Sequence, residues 1–243
     1  MLEVLSTIGL TGSAAIIISF LAFAMAETPR GRLTVTGVLA AWFALVVMIG
    51  ASAALDPVRG FGVPALGLTV GLPVAALVSA FFAFGPIRAA TLAAPLPALV
   101  AVNAIRILPG WLFVLLYARG ELPAPFAPSA GWGDIFAGAA ALPIAWLLIR
   151  FGRRVAPLVF VWRVIGIADL VTAIALGALS APGPLQAFVG PPTSAIMTTL
   201  PWLIVPGFLV PSLIFIHVVI FHRLASAEGS VAAHPWLGTG ATT

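Results

Sequence analysis

Apolar residues in this chain come in long uninterrupted runs, at 4–26, 33–55, 61–84, 95–117, 134–150, 157–179 and 196–222. An α-helix needs about 20 apolar residues to cross the hydrocarbon of a bilayer, and most of these runs reach that length. Turn and charge signals break them: Glu27-Thr28-Pro29-Arg30, Asp56-Pro57, Gly85-Pro86, Arg119-Gly120-Glu121, Arg153-Arg154 and Pro182-Gly183-Pro184. The runs are too long for strands and lack period-two alternation. The pattern predicts an all-α, polytopic transmembrane helix bundle of about seven spans over residues 1–224. The fifth run is short and is expected to be extended or tilted. Residues 225–243 are polar and small, which predicts a disordered cytoplasmic tail.

Composition sharpens this picture. Of 243 residues, 62% are hydrophobic and only 7% charged. A water-facing domain carries about a quarter charged residues, so the outside of this protein is expected to face lipid. All 11 basic residues are Arg. Without Lys, a retinal or pyridoxal Schiff base is excluded. Without Cys, disulfides, thiolate metal sites and iron–sulfur clusters are excluded as well. The net charge is only +4, so the basic balance reflects membrane topology rather than nucleic-acid binding.

Arginine placement predicts orientation. Arg30, Arg32, Arg88, Arg150, Arg153, Arg154 and Arg223 fall on one side of the predicted bundle, and Arg59 and Arg119 on the other. The positive-inside rule puts the first group in the cytoplasm and the N-terminus outside. Ala24-Met25-Ala26 fits a signal-peptide cleavage site, but Met1-Leu2-Glu3 is acidic and the apolar run too long, so the segment is read as a retained first span. Trp111 and Trp132 on the outer side, and Trp146 and Trp162 on the inner, are expected to form interfacial belts.

Chemistry is expected where polar groups lie deep in hydrocarbon: Asn103 and Arg106 in the fourth run, Arg163 and Asp169 in the sixth, and His217 in the seventh. A central Arg or Asp costs about 2.5–3.5 kcal/mol on insertion scales, and each Leu, Ile, Val or Phe returns about 0.3–0.6. The sixth run sets roughly 4–7 kcal/mol of apolar gain against about 5–7 for its two charges. It needs partners. Counting along each helix places Arg106 and Asp169 both near mid-membrane, which predicts an ion pair between them with Asn103 bonded nearby. Arg163 and His217 are expected in a second polar layer facing a cytoplasmic vestibule. Pro201, Pro206 and Pro211 predict a bent or interrupted last span, whose freed carbonyls could line a cavity.

Several enzyme motifs fail. Gly131-Trp132-Gly133-Asp134 resembles the GxGD of intramembrane aspartyl proteases, and Pro64-Ala65-Leu66 and Pro97-Ala98-Leu99 their PAL motif, but the order along the chain is wrong. Asp134 is expected to cap a helix start. His217 and His222 diverge by about 140° round one helix, which argues against a bis-His haem, and His234 sits in the tail. No cofactor and no metal site is expected. The segment Trp162-Arg163-Val164-Ile165-Gly166-Ile167-Ala168-Asp169-Leu170, with the Pro-rich last span ending in His217, resembles small bacterial inner-membrane proteins of unassigned function. That resemblance implies no activity.

The expected function is binding or conducting a small solute or proton through Asn103, Arg106, Arg163, Asp169 and His217. Asp169 would be the titratable group and Arg106 its counter-charge. The alternatives are a scaffold subunit of a membrane complex and a lipid-modifying enzyme using Asp134, Asp169 and His217. Expected partners are the lipid bilayer, a small solute or proton and other membrane subunits, with no nucleic acid.

Overall fold

A computed structural model of the protein describes residues 1–56, 60 and 62–232. Helices run over α1 (Leu2–Met25), α2 (Pro29–Ala51), α3 (Gly62–Ala83), α4 (Gly85–Ala93), α5 (Leu96–Ala101), α6 (Ile107–Ala118), α7 (Ala127–Phe151), α8 (Ala156–Leu179) and α9 (Val210–Ala232). There is no strand among the described residues.

Six stretches are long and apolar enough to cross a membrane, and one of them, Ala127–Leu179, is 53 residues long. It doubles back at Gly152, whose φ of 58° is a left-handed conformation that glycine adopts without a Cβ penalty. The Trp162 indole N–H donates to the Ala137 carbonyl at 2.9 Å across the resulting hairpin. The stretch thus supplies two passes, α7 and α8, and the chain is a multi-pass membrane protein.

The first hairpin turns on Thr28, whose hydroxyl accepts the Gly31 N–H at 3.1 Å, with Pro29 opening α2. Between the third and fourth passes lies a short helix, α4, that the apolar runs do not reveal. Pro86 lies in its first turn, Ala90 and Thr91 are buried, and Arg88 stays exposed. Arg223 ties the last helix to this region by donating to the Ala94 carbonyl.

The last pass is the axis of the bundle. Of its most apolar window 72% is buried, against 11% for the second and third passes, which turn most of their surface outward. Phe208 packs on Trp42 and Phe43, with ring centroids at 4.4 and 5.4 Å, and Phe215 on Phe81 at 6.2 Å. The start of this pass is interrupted. Val205–Leu209 winds as a π-turn around Pro206 before α9 begins, and Pro211 sits in the first turn of α9. Proline cannot donate the α-helical hydrogen bond, and a π-turn accommodates the gap.

The connection over 180–204 is folded down onto the end of α8 rather than hanging free. The Ser194 hydroxyl donates to the Gly177 carbonyl at 2.6 Å, and Ala187 N–H to the Leu179 carbonyl at 2.9 Å. Arg119 and Glu121 pair at 2.7 Å on the exposed connection before α7. α9 continues to Ala232, past the boundary at 224 expected for the tail. Residues 233–243, with His234, lie outside the described residues, as does Arg59.

Candidate functional site: a buried arginine between two carboxylates

The site begins with small residues. On α6 and α7, Gly110, Gly131 and Gly138 let two helix backbones come close, as small residues do in membrane helix pairs. A Cβ on Gly110 would lie 2.7 Å from the Gly131 carbonyl oxygen and 3.0 Å from the Asp134 Cβ, and one on Gly138 3.0 Å from the Ile107 nitrogen. The fourth pass is also wound tighter, as a 3-10 turn, over Val102–Arg106. Pro109 follows, and its ring cannot donate to residue 105. This turn presents Arg106 to α7 and α8 together.

Arg106 has no exposed surface. Its Nε donates to Asp134 Oδ1 at 2.7 Å, one Nη to the Gly166 carbonyl at 3.2 Å, and the other Nη to Asp169 Oδ2. One guanidinium therefore joins three passes through two carboxylates and a helix carbonyl. Asp169 lies directly against Gly133, where a Cβ would collide with its carboxylate. Removing either the close helix approach or this glycine would pull the cluster apart.

His217 is fully buried on the other side of Gly166. A Cβ on Gly166 would sit 2.9 Å from the His217 Cε1 and 3.2 Å from an Arg106 Nη. Neither imidazole nitrogen has a hydrogen-bond partner among the described residues; the ring packs on Trp162 with centroids 5.4 Å apart. Arg163 is buried between the rings of Phe160 and Phe221, at 4.7 and 4.1 Å from their centroids, an arrangement that offsets lost hydration through the aromatic faces.

Three sequence expectations change here. Asn103 does not join the ion cluster: its amide donates to the Leu99 and Val100 carbonyls of its own helix at 2.9 and 3.3 Å, and its Oδ1 has no partner. A short Asn reaches backbone carbonyls one turn back before it reaches a neighbouring helix. Asp134 is not a helix cap, because α7 starts at Ala127 and Asp134 lies two turns inside, so the polar centre spans four passes rather than three. Trp162 is not in an interfacial belt. It is buried against α7, whereas Trp111 and Trp132 meet edge to face at the surface with centroids 5.9 Å apart.

One cavity reaches the cluster at Asp134, and another lies beside His217 and Arg163. The first, of about 280 Å³, lies under the 180–204 connection, walled by Phe113, Phe126, Met197 and the π-turn residue Val205, and it is lined by Asp134. The second, of about 270 Å³, lies between α8 and α9, lined by Arg163 and His217. Asn103, Arg106 and Asp169 line neither. Asp134 of the GxGD-like pattern and Asp169 are both bonded to the Arg106 guanidinium. Among the described residues, no three His, Asp or Glu side chains gather as a metal-ligand set.

Residues 63–225 match a family defined by a domain of unknown function, DUF8737. The chain belongs to the DUF8737 family. No curated protein and no solved structure matches it. The matched segment of this DUF8737 chain holds Arg106, Asp134, Arg163, Asp169 and His217, and it leaves out α1 and α2.

Proposed function

We propose that this DUF8737 protein binds a small solute or proton at the Arg106 cluster and passes it along the axis of the bundle. One observation carries the reading: cavities approach the cluster from two sides, one at Asp134 and one at His217. An intramembrane charge cluster between two cavities is the arrangement that ion and proton routes use. The interrupted start of the last pass supports it, since π-turns recur at functional sites and non-helical backbone is tolerated where it lines a cavity. In this reading Asp169 and Asp134 carry the charge that Arg106 gates, and His217, fully buried across Gly166 from Arg106, is the next polar group along the route. The Arg-rich end faces the cytoplasm of a bacterial inner membrane and the N-terminus faces outward.

A scaffold role within a membrane complex is favoured by a different observation: the Arg106 guanidinium is already bonded through all three of its nitrogens. Such a cluster can act as a static fastener of helices. Proteoliposomes containing a pH-sensitive dye separate the two. Passage predicts an imposed pH gradient that decays faster than in protein-free vesicles, with Asp169→Asn removing most of the difference. A folded wild-type protein that leaves the gradient and a panel of small solutes undisturbed favours the fastener.

A further inference from the structure

We propose that the cavity beside Asp134 binds a neutral phenol on a compact hydrocarbon body, whose hydroxyl donates to the unbonded oxygen of the Asp134 carboxylate. This rests on the preceding reading for its site and adds the class of ligand that the site takes.

Charge narrows the choice first. The charged groups facing the cluster are Arg106 from the 3-10 turn of the fourth pass, Asp134 from α7, and Asp169 and Arg163 from α8. Two guanidinium groups balance two carboxylates. A bare cation or anion entering beside them would leave an excess charge in hydrocarbon, which is expensive. A neutral ligand keeps the balance.

Hydrogen bonding narrows it next. Asp134 is only 7% exposed, and it lines the cavity. Its Oδ1 accepts from the Arg106 Nε, while its Oδ2 accepts no hydrogen bond among the described residues. A buried acceptor left without a donor is costly, and hydrogen bonds to a charged group are among the stronger ones. The other polar side chain in the lining, Ser194, has already given its proton to the Gly177 carbonyl. The walls therefore call for a donor and offer no side-chain donor in return. An amide would bring a carbonyl that no wall side chain serves. A phenol brings a strong donor on an oxygen that accepts only weakly.

The remaining walls select the body. Phe113 and Phe126 pack with centroids 5.5 Å apart, and with Leu170, Met197 and Val205 they give an aromatic and aliphatic surface to about 280 Å³. Aromatic rings pack favourably on a further ring. Water fills polar cavities and leaves apolar ones dry, and only Asp134 and Ser194 break this hydrocarbon lining. Gly67 and Leu185, also in the lining, are exposed, so the cavity opens at the surface of the bundle, where an apolar ligand enters from lipid.

The probe is 4-tert-butylphenol, and its isostere is 4-tert-butyltoluene, with a methyl group in place of the hydroxyl. The charged comparison is 4-tert-butylbenzylammonium. Titration calorimetry on the full chain in lipid nanodiscs, with empty nanodiscs as the blank, gives each Kd as a mole fraction in lipid. We expect one phenol per chain, bound roughly tenfold or more tightly than the toluene, as a hydrogen bond to a charged acceptor implies. Asp134→Leu removes the acceptor and keeps the apolar walls, so both probes then bind alike. Ala173→Phe fills the cavity from α8 and blocks both. A thermal melt shows whether each variant is folded; if Asp134→Leu is not, the isostere comparison in wild type and Ala173→Phe still decide. Absence of phenol binding, equal affinity for the toluene, tighter binding of the ammonium, or an undiminished hydroxyl preference in folded Asp134→Leu overturns the proposal. Phenol binding by a chain that passes neither protons nor solutes in proteoliposomes leaves this site standing and removes the passage reading. Proton passage without phenol binding does the reverse.

Discussion

Replacing Arg106 by Met tests how much of the bundle depends on one buried guanidinium. The change removes a 2.7 Å bond to Asp134, a 3.2 Å bond to the Gly166 carbonyl and the bond to Asp169, and it leaves both carboxylates inside the protein without a counter-charge. Removing one partner of a buried pair typically costs about 3–5 kcal/mol. Two acids are stranded here, so Arg106→Met is expected at the upper end, near 5 kcal/mol. Asp169→Asn keeps the Arg106–Asp134 bond and exchanges one charged acceptor for a neutral one, a loss of about 1–3 kcal/mol. The triple variant with Arg106→Met, Asp134→Leu and Asp169→Leu has no charge to strand, and is expected within about 2 kcal/mol of wild type. Sodium dodecyl sulfate titration in mixed micelles, followed by tryptophan fluorescence, measures all three. Arg106→Met within about 1 kcal/mol of wild type, or a triple variant worse than Arg106→Met, would refute the reasoning.

Other perturbations read other parts of the structure. Gly133→Ala forces a methyl into the Asp169 carboxylate and is expected to cost about 1–3 kcal/mol, whereas Gly12→Ala, which meets nothing within 4 Å, changes unfolding little. Phe221→Ala removes the nearer of the two rings around Arg163 and is expected to lose about 1–2 kcal/mol in the same titration; Phe221→Leu, which keeps apolar bulk without the ring face, should recover only part. The chain has no Cys, so single cysteines report cleanly on sidedness. A thiol at Ser129 should react with a membrane-impermeant reagent added outside intact cells, and one at the exposed Arg154 only after the membrane is opened; the opposite pattern would invert the proposed orientation.

The passes were legible because hydrocarbon leaves the chain little choice: each run must be long, apolar and helical to satisfy its backbone. Arg106 and Asp169 stood out for the same reason, since each is expensive alone in an apolar run. Asp134 was hidden. Residues 127–133 are Ala, Pro, Ser, Gly and a single Trp, which read as a loop, so the fifth span was expected to begin at Asp134. These small residues are helical because they pack on α6, with Gly131 against Val114 and the Gly110 carbonyl. The spacing of Gly131 and Gly138, two turns apart on one face, was the available signal. Trp162 misled in the opposite way. Its depth near a span end suggested a lipid interface, but depth along a helix does not say which face a residue occupies, and this face meets α7.

The shared guanidinium is best tested by solid-state NMR in lipid. The chain has three aspartates, at 56, 134 and 169, so selective labelling of Asp Cγ with ¹³C and Arg side-chain nitrogens with ¹⁵N gives few signals to assign. Carbon–nitrogen dipolar dephasing is predicted to be strong for both Asp134 and Asp169, and both effects should disappear together in Arg106→Met. Dephasing at only one of them, or at both after Arg106 is gone, would contradict an arginine held between two carboxylates.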